Sequence, residues 1–174
     1  DRAQKHLFNG GALTSTESAA RFQSIVDKIR PALNGESARW GDELASTPHN
    51  TLDDFDHIVN EKLTNYFPVR SGIVLGQLRS AGLFSPTTHE APSFNQHGGL
   101  VPLGFDLTIA NNESSGTVYY TLDGSDPRLV GGNISSTAIA YTGAIDLSTA
   151  TTVNARLLRF GNWSAKVEAD FFIP

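Results

Sequence analysis

Between Val118 and Arg128 the chain reads Val-Tyr-Tyr-Thr-Leu-Asp-Gly-Ser-Asp-Pro-Arg. Asp123, Ser125 and Asp126 in this stretch carry the hard oxygen atoms that calcium prefers, which makes them the metal candidates of the sequence. The segment lacks the repeated ligand spacing and the distal bidentate Glu of an EF-hand loop. A turn-forming role therefore outweighs the metal role: the Asp side chains bond the amides of their own loop, Pro127 fixes the turn, and Arg128 pairs with a neighbouring carboxylate.

Other chemistry-bearing residues are poorly placed for catalysis. Five histidines, His6, His49, His57, His89 and His97, show no i, i+4 pair that would set two ligands on one helix face. They read as solvated or hydrogen-bonded surface groups, with His97-Gly-Gly99 as a turn entering the first long strand. Asp53, Asp54 and Asp56 cluster, but a helix start explains them, because the helix dipole favours anions in the first turn. Glycoside hydrolysis would need two carboxylates facing each other across a cleft. No Gly-x-Ser-x-Gly elbow and no Gly-rich phosphate loop after a strand occurs. No catalytic residue and no cofactor is assigned.

Flat aromatic faces are a further possibility, since Tyr and Trp can stack on sugar rings. Trp40, Tyr119, Tyr141 and Trp163 are the candidates. Strand alternation puts Trp163 on the apolar side with Val167 and Phe171, whereas Tyr119 shares its face with Thr117 and Thr121. Tyr119 is thus the best exposed aromatic and the candidate ligand-binding residue. Asn112, Asn133 and Asn162 head glycosylation sequons, which matter only in a glycosylating host.

The elements that must position these residues fall into two halves. Through residue 84, apolar residues recur at helical spacing. Residues 2–8 read as a helix end stopped by Asn9-Gly10-Gly11. A second helix starts near Ser15 or Thr16 as cap, carries Ala19, Phe22, Ile25, Val26, Ile29 and Leu33 on one stripe, and ends at Asn34-Gly35. A third segment, 36–44, holds Trp40 and stops before Pro48. A fourth has Thr51 as N-cap, buries Leu52, Phe55, Ile58, Val59 and Leu63, and ends at Pro68. A last helix, about 69–81, buries Ile73, Val74 and Leu78 and stops at Gly82.

Residues 85–92, bracketed by two prolines, read as a linker. Beyond it the period becomes two. Val101, Leu103, Phe105, Leu107 and Ile109 alternate with small or polar residues as one half-buried strand, and further strands are expected at 117–122, about 139–141, 144–147, 151–158 and 163–173. In the last, Trp163, Ala165, Val167, Ala169, Phe171 and Ile173 share a face. The expected fold is α+β with segregated halves: a helical subdomain over 1–84 and an antiparallel β-sandwich of immunoglobulin or fibronectin type over 93–174.

Composition narrows the partners. The chain has 174 residues, 39% of them hydrophobic, enough for one large or two small globular domains. Lys and Arg total 13 against 18 Asp and Glu, a formal net charge of -5. Nucleic-acid binders need clustered positive charge, so DNA and RNA are excluded as partners. The absence of Cys removes disulfides, thiolate metal sites and Cys nucleophiles. No apolar run approaches the roughly 20 residues of a membrane span. Starting at Asp1 with no Met and no signal peptide, the chain reads as a piece of a longer polypeptide.

Two resemblances extend this reading. The run from Tyr119 to Pro127, followed by Tyr141-Thr-Gly143, Val153-Asn-Ala-Arg156 and Gly161-Asn-Trp-Ser164, resembles the chitobiase/β-hexosaminidase C-terminal domain, a fibronectin type III-associated module. That resemblance implies a small β-sandwich appended to exported bacterial enzymes and surface proteins. The helical half resembles the C-terminal tail of the spore-coat CotH kinase family, through residues 1–14, Glu36-Ser-Ala-Arg-Trp-Gly-Asp42, Asn65-Tyr-Phe-Pro68 and Val74-Leu-Gly-Gln-Leu-Arg79. The implied nucleotide and metal ligands lie upstream, so none carries over to this chain. The expectation is a non-catalytic accessory fragment of an exported CotH-like protein, extracellular or at the cell surface, partnered by the upstream domain of its parent. Carbohydrate binding to a chitin-like or cell-surface polysaccharide is the alternative. Residual enzyme activity of the helical half is a remote third.

Overall fold

A computed structural model describes residues 1–40, 54–84 and 90–174. The expected cap Thr51, with Leu52, Asp53, His49, His89, the 41–44 end of the third segment and the 85–89 part of the linker, lies outside the described residues.

Helix α1 (Arg2–Leu7) stops where Asn9 and Gly10 enter the left-handed region, at φ +53° and +73°. Helix α2 (Ser15–Trp40) is one continuous element. Its N-terminal hydroxyl comes from Thr14, whose Oγ1 accepts the Glu17 amide at 3.4 Å, rather than from the expected Ser15 or Thr16. Nor does α2 end at Asn34-Gly35. Gly35 takes a helical backbone, at the cost of about 1 kcal/mol that Gly exacts against Ala inside a helix, so the second and third expected segments merge.

The expected stop at Pro68 is also overridden. Helix α3 (Asp56–Glu61) loosens into a π-helical turn over Lys62–Tyr66, where the Phe67 amide donates to the Lys62 carbonyl. Helix α4 (Phe67–Ser80) then begins with Pro68 in its first turn, where a missing N–H leaves no intrahelical bond unmade. Its far end closes as expected at Gly82, φ +69°, with Gly82 N–H on the Arg79 carbonyl and Leu83 N–H on that of Leu78. Val26 and Val59 are buried here, but Ile25, Ile29, Ile58 and Ile73, all expected inside, are largely exposed.

Beyond residue 90 the structure is β. Strands β1 (Ser93–Phe94) and β4 (Ile109–Ala110) pair antiparallel, as do β3 (Phe105–Leu107) and β7 (Ile145–Leu147). A larger mixed sheet runs β2-β10-β8-β5-β6, built from Gly99–Leu100, Val167–Phe172, Thr151–Arg159, Thr117–Thr121 and Ile139–Ala140, with β9 (Asn162–Trp163) also on β8. The β2–β10 pair is parallel, so the sheet is not purely antiparallel. The single strand expected over 101–109 is broken. Gly104 at φ +75° turns the chain, Leu103 is exposed, and the flanking pieces pair with different partners.

Residues from all three sheets meet in one apolar core around Leu107, Leu147, Val153, Leu157 and Phe171. Burial of each such side chain contributes about 1.5–3 kcal/mol. The cross-strand register Val118↔Leu157, Val167↔Ala155 and Ala169↔Val153 puts these side chains of β5, β8 and β10 on that face together. The other face of β8 carries Asn154 and Arg156, which are also buried.

Candidate functional site

The buried polar face of β8 is where the acidic turn arrives. After Thr121, whose hydroxyl donates to the Ser125 carbonyl at 2.6 Å, the chain leaves the sheet and folds back over it. Thr121 is therefore buried and Leu122 exposed, the reverse of a strict two-residue alternation. Asp123 Oδ1 accepts both the amide and the hydroxyl of Ser125, at 2.9 and 2.5 Å, closing an Asx turn around Gly124 at φ +75°. These bonds hold the Asp123 carboxyl below its ordinary range. Asn154, fully buried, then donates its amide to the carbonyls of Gly124 and Ser125, at 2.7 and 2.8 Å.

Asp126 faces Arg156. The guanidinium donates Nε to Oδ1 and Nη2 to Oδ2, both at 2.7 Å, a bidentate pair. The remaining Arg156 donors reach Asp1 Oδ1 at 3.0 Å, Asp1 Oδ2 at 2.7 Å and the Ser164 carbonyl at 2.8 Å. All five N–H groups of a guanidinium are thereby used. The Arg156 side chain is only 4% exposed, and two carboxylates offset its burial. Partial burial pushes the Asp126 carboxyl up, but the Arg156 hydrogen bond, the Arg128 amide at 2.9 Å and the charges of Arg156 and Lys166 outweigh it, and the group sits below its usual range.

Asp126 thus belongs to Arg156, and Arg128 contributes its amide to the turn; no carboxylate pairs with the Arg128 guanidinium among the described residues. The Val153-Asn-Ala-Arg156 run carries no assigned role in the sequence alone. The available signal was two polar residues inside an otherwise apolar strand. Asp1 and Lys5 extend the network to the helical half, Asp1 also accepting the Lys166 amide at 3.0 Å and Lys5 reaching Glu168 at 3.0 Å.

The aromatic candidates separate. Tyr119 is half-buried, its ring 5.8 Å from that of Trp163, so it is not the best exposed aromatic. Trp163 is buried, but in register with Leu158 and against Tyr119, on the opposite face from Val167 and Phe171. The chain leaves strand geometry at residues 164–166, which resets the alternation. Trp163 Nε1 donates to the Gly132 carbonyl at 2.6 Å. Phe160, which sequence reasoning passed over, is 78% exposed at the β8–β9 hairpin tip, with φ +49° followed by Gly161 at +76°. Tyr141 is half-buried against the core, and its hydroxyl accepts the Ile109 amide at 3.0 Å.

Asp56 pairs with Arg30 at 2.7 Å, and His6 and His57 lie exposed. His97 stacks on Phe94, centroids 5.5 Å apart, and burial pushes its pKa down. Among the described residues no three His, Asp or Glu side chains gather as a metal site, and no helix is long and apolar enough to cross a membrane.

These features define the β half as a module whose charged residues organise its own loops. Residues 107–169 match the family described as Fn3 associated, so the strands β4 to β9, the start of β10 and the Asp-Gly-Ser-Asp turn fall within that match. No curated protein and no solved structure matches the chain.

Proposed function

We propose that the chain is a non-catalytic accessory part of a larger exported protein, in which a fibronectin type III-like β-sandwich packs against the helical segment that precedes it. The observation that carries this reading is the fate of the acidic turn. Its carboxylates bond their own backbone and Arg156, and Arg156 in turn holds Asp1 of the helical half. The Fn3-associated match over 107–169 supports an accessory role. The sequence resemblance of the helical half to a CotH-type tail points to a kinase-like parent with its ligands upstream. Residues 1–84 act as the connection and 93–174 as the module, at the cell surface or outside the cell.

Incubation of the chain with ATP and Mg tests the reading: no hydrolysis or phosphotransfer is expected, and Mg-dependent turnover would overturn it. A second reading, retention of a chitin-like or cell-surface polysaccharide, is favoured by Phe160 rather than Tyr119. A bulky residue in the left-handed region is strained, and such strain concentrates where a side chain has a task. A chitin pull-down in which Phe160→Ala and wild type are retained equally would remove that reading.

A further inference from the structure

Where α1, the turn after it, α2 and the start of α4 meet, they line a pocket of about 220 Å³. Its walls are largely apolar, with Leu7 from α1, Leu13 from the turn, and Phe67 and Val74 from α4. The lining hydroxyls are engaged within the fold: Ser71 Oγ donates to the Leu13 carbonyl at 2.6 Å and Ser18 Oγ to that of Ala12 at 3.4 Å. An apolar cavity of about 150 Å³ takes up benzene, so this pocket has room for a single ring or a short aliphatic chain. Leu13 and Tyr66 are largely exposed, which leaves it open to solvent.

Two independent observations single this pocket out. The first is charge. Among the described residues that line it, Arg70 alone is charged, and no Asp or Glu stands beside it. Its guanidinium lies over the Tyr66 ring at 5.9 Å and pairs with no carboxylate among the described residues. From Lys62 to Phe84 the sequence holds Lys62, Arg70 and Arg79 but no Asp or Glu, in a chain whose formal net charge is -5. The second is the backbone. The π-helical turn over Lys62–Tyr66 delivers Tyr66 and Phe67 to the pocket wall, and such widened turns are rare and concentrate at functional sites. A cation at the edge of apolar walls whose hydroxyls are already bonded selects a monoanion with an apolar body.

We propose that this pocket binds a small monocarboxylate, its ring or aliphatic chain among Leu7, Phe67 and Val74 and its carboxylate on Arg70. A free acid and the C-terminal apolar residue of a peptide present the same chemistry. The inference goes beyond the accessory reading and does not depend on it, because that reading stands on the acidic turn of the β half. Amide proton–nitrogen correlation spectra of the whole chain test it, recorded during titration with hexanoate, benzoate and N-acetyl-leucine, each against its neutral amide. Shifts at Leu13 and across residues 66–74 are expected with a carboxylate and not with the matching amide. A response to N-acetyl-leucine alone marks a peptide terminus as the source, and a response to hexanoate or benzoate marks a free acid. Arg70→Gln, at an exposed position where folding is retained, weakens the binding by about tenfold, the loss of one charge-assisted contact. Leu13→Ala, likewise exposed, weakens it several-fold. Absence of carboxylate-specific shifts at millimolar concentration, shifts centred away from these residues, or an affinity unchanged in either variant would overturn the proposal.

Discussion

Arg156 is the residue on which the polar side of the β half turns. Buried and charged, it is tolerable only with its carboxylates in place, so removing one leaves a cation short of a partner. Asp126→Asn is expected to lower stability by about 2 kcal/mol, below the usual figure for a fully buried pair because Asp126 is itself partly exposed and Asp1 remains. Urea unfolding midpoints measure this; a loss within about 0.5 kcal/mol, the range of an ordinary surface change, would contradict it. The Asp126 carboxyl is held below its unfolded value. Its contribution is therefore fully present above the unfolded carboxylate pKa and fades as pH falls from about 4 through the lower folded value. The wild-type midpoint should drop over that window more than that of Asp126→Asn, and parallel pH curves would contradict the assignment.

At the scale of elements, two local violations identify stabilising substitutions. Gly35 lies inside α2 with open space around its Cα, so Gly35→Ala should raise stability by about 0.5–1 kcal/mol. Phe160 occupies the first position of a two-residue hairpin turn in which both residues have positive φ, a place Asn fills without strain. Phe160→Asn should raise stability by about 1 kcal/mol. Thermal or urea unfolding of the two single variants checks both, and a destabilised Gly35→Ala would mean that α2 is not helical through residue 35.

The same violations show what the sequence displayed of the elements. Strands β5, β7, β8 and β10 were legible because their two-residue alternation faces a single core. The break at residues 102–104 was not, since Val101, Leu103, Phe105 and Leu107 keep the alternation across a turn that only the positive φ of Gly104 reveals. Gly35 and Pro68 misled in the opposite sense. Both are breakers by local preference, and both are absorbed, one as a helical Gly and the other in a first turn behind a π-helical widening. Of the site, the Asx turn at Asp123 is a local pattern and was readable. The Asp126–Arg156 pair spans 30 residues, and nothing in either segment names the other.

For the whole molecule, the two halves differ in what holds them. The β half has a continuous core drawn from three sheets, while Val26 and Val59 are the buried apolar side chains of the described helices, with Ile25, Ile29, Ile58 and Ile73 exposed. A chain cut to residues 90–174 should therefore still unfold cooperatively, at a lower urea midpoint than the β transition of the full chain because Arg156 loses Asp1, whereas residues 1–84 alone should lack a cooperative transition. Loss of cooperative folding in the 90–174 piece would show that the β half depends on the helices.

The carboxylates of the acidic turn are engaged by their own fold. Asp123 bonds Ser125, and both oxygens of Asp126 are on Arg156, which leaves calcium to displace existing bonds before it could bind. The wild-type unfolding midpoint with and without millimolar calcium tests this most directly, because a ligand that binds only the native state stabilises it by mass action. An unchanged midpoint is the predicted result. A calcium-dependent rise that Asp123→Ala abolishes would make the turn a metal site and contradict the structural role assigned to it.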